Sequence, residues 1–549
     1  DRLEGRLEID NHGIRGKEIT GRAFGARIQL EVAPHADSTR ISAQGRIPAT
    51  ALVKQYPLLK AARPTGSAEV RVQLDLPNYG KDSAGAIMLN LRSKLEGMAL
   101  ELPSPLAKEA EASRELALGV RITEKERKLT LRLDDDLGLT ALVGPDDRLG
   151  LSAALSHLPL RPWIRWFSRM PETGPEGAPK IGSIRLQVKR LEAYPLLADD
   201  LLLELEKAGN GWQGTMKSDA ITGTLRLGSG KGRQKLELDL EVLRLATASP
   251  VTPPPSSSGI DTLPDPRSMA LLELRARKFY FNQADLGELR VRSSEAPHGQ
   301  IIETLELTGG IARIEARGEW VEEPDGQFTH MKGTLNTDDM GRFLREAMRM
   351  DFLAGSKAYF SFDITWPGAP FQFDPARLAG RLQLDMTAGR FLNIKPGAAR
   401  ILGLLNVRAL ERRLKFGFKD LYEEGLAFDT IMGSFQLEDG LIYTNDLEVS
   451  APSSQIRIAG STSLANRTHD QLVTVSPRLD ATLPLAGAVA GGPVAGLVVL
   501  LAQQAFSSKL EKIQRMHYSV TGSWDDPRVE PLGRKKTPPP EEGAGILEQ

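Results

Sequence analysis

The stretch that decides the fold is Val70-Arg71-Val72-Gln73-Leu74-Asp75-Leu76, in which every second side chain is apolar and those between are charged or polar. Successive side chains of a β-strand point to opposite faces, so this alternation predicts a strand with one apolar and one charged face. The same period of two recurs in Phe360-Ser361-Phe362-Asp363-Ile364-Thr365-Trp366 and at 129–133, 184–188, 236–242, 382–386 and 456–458. The sequence therefore predicts a mainly β protein.

Turn-forming segments separate the alternating stretches, as in Glu438-Asp439-Gly440. Strands joined by short turns pair antiparallel. Residues 66–77 and 355–367 resemble each other, and each follows a helical pattern, which indicates internal repetition. We predict an elongated, curled antiparallel sheet that forms a repeating β-groove with a few short amphipathic helices. A globular β-sandwich would show the same alternation, but 549 residues exceed the usual size of one core.

Composition argues against several classes of function. The chain carries 70 Lys and Arg against 71 Asp and Glu, a net charge of -1, so it lacks the basic field that holds nucleic acid, and we expect no nucleic-acid partner. It has no cysteine, and its seven histidines are widely spaced without metal-ligand patterns. No nucleotide loop or nucleophile elbow is present. We predict no enzyme activity, no catalytic residue, no metal site and no cofactor.

Helical patterns are few. Short helices are predicted near 338–350 and 398–414, and another from Pro162 to Met170, which contains Trp163, Trp166 and Phe167. These three aromatic side chains could anchor in a membrane interface or seal the end of a hydrophobic groove, but packing in the core is favoured for each.

One segment departs from the alternation, because no charged residue occurs from Ala481 to Ser508. Its length is near the roughly 20 apolar residues of a membrane-spanning helix, but Gly491-Gly492-Pro493 would break such a helix. Two interpretations remain: contact with a membrane, or a helical pair buried on the sheet. We expect membrane or lipid contact through the apolar residues Leu485, Val489, Val494, Leu497, Leu500 and Phe506.

These patterns predict six parts. They are a first part of the β-groove at 1–248, a Pro/Ser-rich loop or linker at 249–266, a second part of the groove at 267–480, an apolar and amphipathic helical segment at 481–516, a final strand at 517–530 and a disordered tail at 531–549.

Ordered motifs over most of Ser93 to Pro527 resemble a known family. They are Ser93-Lys94-Leu95-Glu96-Gly97 with Leu102-Pro103-Ser104-Pro105-Leu106-Ala107-Lys108, Gly389-Arg390-Phe391, Phe416-Gly417-Phe418-Lys419-Asp420-Leu421, Gly425-Leu426-Ala427-Phe428-Asp429, Leu483-Pro484-Leu485-Ala486-Gly487, and Val520-Thr521-Gly522-Ser523-Trp524-Asp525-Asp526-Pro527. Together they are similar to the YhdP family, AsmA-like and TamB-related bridge-like lipid transfer proteins of the Gram-negative envelope. The chain resembles the C-terminal portion of such a protein.

The resemblance implies a passive conduit for phospholipid between the inner and outer membranes that supports outer-membrane lipid homeostasis. It implies a periplasmic protein anchored in the inner membrane by an N-terminal helix absent from this chain, with its C-terminal end toward the outer membrane. The implied partners are phospholipids and both membranes, with an envelope protein as a further candidate. The alternative is a non-enzymatic envelope scaffold or regulator of outer-membrane assembly that binds a protein partner.

Candidate lipid-groove residues follow from the alternation, since they are the apolar members of the strands. They are Val70, Val72, Leu74, Leu131, Leu186, Leu238, Leu240, Phe360, Phe362, Leu384, Ile456 and Ile458.

Overall fold

The computed structural model describes residues 3–10, 13–35, 37–78, 85–167, 179–193, 195–228, 232–246, 265–392, 426–452, 454–477, 515–524 and 526–532. These residues form two compact units. Unit 1 holds the described residues up to 246 together with Ala270–Asn282, and unit 2 holds the remainder. The predicted helix at 398–414, most of the predicted linker at 249–266 and nearly all of the segment at 481–516 lie outside the described residues, as does most of the tail at 531–549.

Unit 1 contains seventeen described strands and two described helices. The strands are β1 (Leu3–Asp10), β2 (Gly13–Ala23), β3 (Ala26–His35), β4 (Ser38–Pro48), β5 (Thr65–Pro77), β6 (Ile87–Ser93), β7 (Met98–Ala99), β8 (Leu116–Ile122), β9 (Arg127–Leu133), β10 (Leu137–Val143), β11 (Arg148–Pro159), β12 (Lys180–Ala193), β13 (Leu196–Ala208), β14 (Gly211–Lys217), β15 (Ile221–Gly228), β16 (Lys235–Leu245) and β17 (Leu271–Phe281). The helices are α1 (Ala49–Gln55), followed by a 3-10 turn at Pro57–Ala62, and α2 (Leu160–Phe167).

Unit 2 contains twelve described strands and one described α-helix. They are β18 (Ala284–Ala296), β19 (Gly299–Gly309), β20 (Arg313–Glu323), β21 (Gly326–Thr337), α3 (Met340–Met348), β22 (Leu353–Pro367), β23 (Ala379–Phe391), β24 (Leu426–Glu438), β25 (Leu441–Ala451), β26 (Ser454–Ser463), β27 (Thr468–Pro477), β28 (Met516–Ser523) and β29 (Pro527–Pro531). Two 3-10 turns, Pro370–Gln372 and Pro375–Arg377, lie between β22 and β23.

Antiparallel pairing between strands that follow each other in the chain dominates both units. In unit 1 two further antiparallel pairs, β5–β7 and β6–β8, join strands that are not consecutive, and two described pairs, β11–β12 and β16–β17, are parallel. Both follow connections of about twenty residues or more, and a chain needs a long connection of this kind to return to the start of the preceding strand. All strand pairs described within unit 2 are antiparallel.

Strand register aligns the apolar residues of unit 1 into continuous rows. Paired residues of neighbouring strands point to the same face, so a chain of such pairs marks one face of the sheet. One row crosses the unit from β3 to β17 and consists of Leu30, Ala43, Val72, Leu91, Leu118, Leu131, Leu139, Ala153, Leu186, Leu203, Met216, Gly223, Leu240 and Ala276. A second row, two residues along the strands, includes Ile41, Leu74, Leu89, Leu129, Ile184, Leu225 and Leu238.

Unit 2 has equivalent rows. One contains Leu305, Ala316, Gly333, Phe362, Leu382 and Phe435, and its neighbour contains Leu307, Ile314, Leu335, Phe360 and Leu384. Beyond the irregular register between β24 and β25, the apolar face continues as Val449, Ile456 and Val475, beside Leu447, Ile458 and Val473. The predicted mainly β fold with a curled antiparallel sheet forming a repeating β-groove is confirmed in each unit.

The structure refines three details. The predicted helix near 338–350 is confirmed as α3, and the one predicted from Pro162 begins earlier, at Leu160. The helical pattern that precedes residues 66–77 is confirmed as α1 and the 3-10 turn after it. The segment predicted as one strand, 517–530, is a hairpin of β28 and β29, in which Pro527, the first residue of β29, pairs with Gly522. Among the described strands β29 pairs with β28 alone, so Pro527 stands in an edge strand, where proline is tolerated.

The internal repetition also has a structural counterpart. Gly66 in β5 and Gly355 in β22 both have positive φ, at 82° and 66°, and each strand then begins its apolar face with a buried alanine, Ala68 and Ala358.

Candidate functional site: an apolar groove bounded by rims

The apolar rows form the floor of a groove in each unit. Of the twelve residues assigned to it from sequence, Leu240 and Ile456 are buried and the other ten are half-buried, while their neighbours Arg71, Arg132, Gln187 and Gln383 are exposed on the opposite, charged face. The inner face of a sandwich would be covered by a second sheet. Half-burial means that apolar atoms of this floor reach solvent, and contiguous exposed apolar surface is typical of binding sites.

In unit 1, helices and a loop cover one edge of the floor and form a rim. Trp163 of α2 is buried in the same hydrophobic cluster as Ala68 of β5 and Leu133 of β9, which both lie on the apolar face. The indole Nε1 of Trp163 donates to the Ser104 carbonyl oxygen at 2.9 Å, and that of Trp166 donates to the Ala61 carbonyl at 3.0 Å. The core interpretation of these tryptophans is therefore confirmed, and they pack on the groove edge itself.

Polar contacts hold the loop of this rim, residues 94–115, in place. The Arg114 guanidinium donates to Asp134 at 2.7 Å and to Asp136 at 2.6 Å. The buried Lys108 ammonium donates to the carbonyl oxygens of Met98 at 2.7 Å and Glu109 at 2.8 Å. Burial lowers the pKa of Lys108 below its ordinary value, because the charged form loses hydration.

In unit 2, helix α3 forms one rim at the start of β22. Its N-terminus is capped by the Asp339 carboxylate, which accepts from the Arg342 backbone N–H at 2.9 Å. Phe343 and Ala347 of the helix are buried, as is Leu353 of the adjoining strand. The helix thus bounds the floor near the start of β22, where Ala358 pairs with Met386 of β23.

The opposite rim of unit 2, at the end of β22, is an aromatic ledge formed by Trp320, Trp366, Phe371 and Phe373. The rings of Trp366 and Phe373 meet edge to face with centroids 5.3 Å apart, and those of Trp320 and Phe371 with centroids 6.2 Å apart. Both tryptophans are buried, whereas Phe371 is 44% and Phe373 52% exposed. The sequence pattern misses this ledge, since Phe371-Gln372-Phe373 alternates as a strand would.

A hollow of about 1430 Å³ in unit 2 is lined by residues of both faces of the strands, and the floor residues Ala316, Phe362 and Leu382 are among them. The register partners Arg317, Lys332, Asp363 and Arg381 line it in one row. Asp363 accepts from His330 Nε2 at 2.6 Å and from Lys332 Nζ at 3.2 Å. Both hydrogen bonds lower the pKa of Asp363, and the one from His330 has the larger effect.

Two negative findings apply to the described ranges alone. No group of three or more His, Asp or Glu residues there is arranged to hold a metal ion. No helix within those ranges has both the length and the apolar character needed to cross a bilayer. The six candidate membrane-contact residues between Leu485 and Phe506 lie outside them.

Comparison with known proteins identifies the family. Residues 1–529 match the family model "YhdP protein". Over 574 aligned residues the chain is 25% identical to the "Intermembrane phospholipid transporter YhdP" of Escherichia coli (strain K12), in an alignment that covers 97% of this chain and 44% of that protein. The chain thus spans less than half the length of this curated relative. No solved structure matches significantly. Because the family model covers nearly the whole sequence, the chain belongs to the YhdP family.

Proposed function

We propose that this chain forms part of a passive conduit that carries phospholipid between the inner and outer membranes and supports outer-membrane lipid homeostasis. The single observation that carries the proposal is the continuity of the apolar rows, which cross unit 1 from Leu30 to Ala276 and recur in unit 2. The relative in Escherichia coli is named as an intermembrane phospholipid transporter, which supports the same conclusion.

The chemistry of the floor suits acyl chains. Each methylene that leaves water contributes about 0.8 kcal/mol, so the binding free energy of an acyl chain on the apolar face grows with the number of its methylenes. Successive strands offer nearly equivalent sites, for example Leu118, Leu131 and Leu139 in neighbouring strands. A lipid can therefore move from one strand to the next without having to escape from a deep free-energy minimum at any single site. The polar head group would stay in water at the open side of the groove.

The proposal includes a location and partners. The protein would lie in the periplasm, tied to the inner membrane by a helix outside this chain and with its C-terminal end toward the outer membrane. We propose that the candidate residues Leu485, Val489, Val494, Leu497, Leu500 and Phe506 contact membrane or lipid there. No catalytic residue or cofactor takes part in this mechanism.

Charge substitutions on the two faces of one strand test the conduit in cells. In a strain lacking the gene, Leu186→Asp and Leu384→Asp should abolish complementation of the outer-membrane defect, because a carboxylate interrupts the apolar row. The matched controls Gln187→Asp and Gln383→Asp place the same charge one residue away on the exposed charged face and should complement fully. Complementation by both floor variants, at wild-type protein levels, would refute the conduit.

The charged row of unit 2 that borders the hollow, Arg317, Lys332, Asp363 and Arg381, favours a second candidate function, an envelope scaffold that binds a protein partner. Arg317, Lys332 and Arg381 place three positive charges in this row, on the opposite face of their strands from Ala316, Phe362 and Leu382. If this scaffold function operates, Arg381→Glu should impair complementation while leaving the phospholipid content of the purified chain unchanged. Complementation equal to wild type would argue against a partner at this hollow.

A further inference from the structure

We propose that the aromatic ledge of unit 2 (Trp320, Trp366, Phe371 and Phe373) is a phospholipid subsite that binds the boundary between the glycerol backbone and the first methylenes of the acyl chains. This inference rests on the proposed lipid conduit and adds where along the lipid molecule this rim makes contact.

The ledge stands on the apolar face. Trp366 is four residues beyond Phe362 in β22, so both side chains point to the same side of the strand. Trp320 pairs with Thr329, which in turn pairs with Trp366, so the three residues form one row. Because Phe371 and Phe373 contact these tryptophans, their rings lie on the groove side of the sheet.

The segment that carries the two phenylalanines is held firmly by hydrogen bonds. The buried Thr329 hydroxyl donates to the Gly368 carbonyl oxygen at 2.7 Å, and Gln372 Oε1 accepts from the Ala369 backbone N–H at 2.9 Å. Trp366 Nε1 donates to the Ala369 carbonyl at 3.2 Å. Leu378, at the end of the segment, is buried in the hydrophobic cluster that contains Trp366. The rings are therefore presented in a defined position before any ligand arrives.

The degree of exposure points to a ligand that is part apolar and part polar. Phe371 and Phe373 leave about half of their side-chain area in water, although each ring rests on a buried indole. Aromatic rings concentrate where acyl chains meet head groups, because one part of the ring is buried while the other meets the polar zone. The ledge lies at the end of β22, where the floor meets solvent. A lipid whose acyl chains lay on Phe360 and Phe362 would place its glycerol region there.

Site-specific photocrosslinking tests this assignment in the full chain produced in cells. The photoreactive residue p-benzoylphenylalanine would replace Phe371 or Phe373 at the ledge, Phe362 on the floor, and Tyr359 and Tyr443 as controls. The control tyrosines are each 41% exposed. Tyr359 points to the charged face of the strand that carries Phe362, and Tyr443 shares the charged row of Arg381 because both are register partners of Gln436. After irradiation, mass spectrometry would identify phospholipid adducts and the carbon at which each is attached.

We expect phospholipid adducts at 371, 373 and 362, and none above the unirradiated background at 359 or 443. At the ledge the adducts should attach to the glycerol or the first acyl carbons, whereas at Phe362 they should extend to the distal acyl carbons. Adducts at 362 but not at 371 or 373 would overturn the ledge and leave the conduit intact. Absence of adducts at all three positions would count against the conduit itself. Attachment at the ledge only to distal carbons, or equal labelling at 359 and 443, would also overturn the subsite.

Discussion

Leu240 of β16 lies directly over Gly223 of β15, its register partner, and its side chain is completely buried. A Cβ atom on Gly223 would stand only 2.6 Å from the Leu240 Cα atom, so the glycine lets the two strands and this leucine pack closely. The Leu240 side chain is therefore packed inside the protein, whereas Leu186, further along the same row, is half-buried and reaches solvent.

This difference predicts how the two positions respond to a charge. Leu240→Asp should destabilise unit 1 by more than the roughly 2–5 kcal/mol of a buried leucine-to-alanine change, because it also buries a carboxylate without a partner. Leu186→Asp should cost clearly less, since water reaches that side chain. Chemical unfolding followed by circular dichroism measures both. Equal midpoints for the two variants would contradict the distinction between packed and ligand-accessible floor positions.

Helix α3 depends on a glycine for its approach to the sheet. A Cβ atom on Gly341 would lie 2.5 Å from the Leu353 carbonyl oxygen, a backbone atom that cannot move aside alone. Gly341→Ala should therefore destabilise unit 2 by about 1–3 kcal/mol, despite the higher helix propensity of alanine. The control Arg345→Ala, at an exposed position of the same helix, should change stability by no more than about 0.5 kcal/mol. A stabilising Gly341→Ala would show that the helix does not pack as described.

The pair between Arg40 and Asp75 predicts a pH dependence for unit 1. Arg40 Nε donates to Asp75 Oδ1 at 2.7 Å and its Nη2 donates to Oδ2 at 2.9 Å, and this hydrogen bonding lowers the pKa of Asp75 against the opposing effect of burial. Because the pKa of Asp75 in the folded state lies below the ordinary carboxyl value, the pair stabilises the fold at pH values above that ordinary value. Its contribution is lost as the pH falls through the lowered pKa.

Asp75→Asn should consequently destabilise unit 1 by about 1–3 kcal/mol at neutral pH. The difference in unfolding free energy from wild type should shrink when unfolding is measured at pH values below the ordinary pKa of a carboxyl group. Asp147→Asn is the control, since Asp147 pairs with Arg127 at 3.0 Å on an exposed surface, where such pairs contribute about 0–1 kcal/mol. A pH-independent penalty for Asp75→Asn would show that ionisation of this carboxylate is not the cause.

Local periodicity predicts the strands and their faces, because alternation such as Val70 to Leu76 constrains each strand on its own. It does not predict which residues become neighbours: Val72 meets Leu91 and Trp163 meets the Ser104 carbonyl only through the folded register and loop packing. The rim residues Phe371 and Phe373 escape prediction because Pro370 and Pro375 turn a strand-like alternation into 3-10 turns. Burial of Leu240 also depends on Gly223, seventeen residues away in the chain.

The phospholipid content of the purified chain tests the central claim most directly. Wild type, the floor variant Leu186→Asp/Leu384→Asp and the matched charged-face variant Gln187→Asp/Gln383→Asp would be purified from the same membranes, checked for equal secondary structure, and extracted for lipid mass spectrometry. We predict phospholipid bound to wild type and to the charged-face variant, and strongly reduced amounts on the floor variant. Equal phospholipid on all three chains, or none on wild type, would contradict a groove that conducts lipid along its apolar rows.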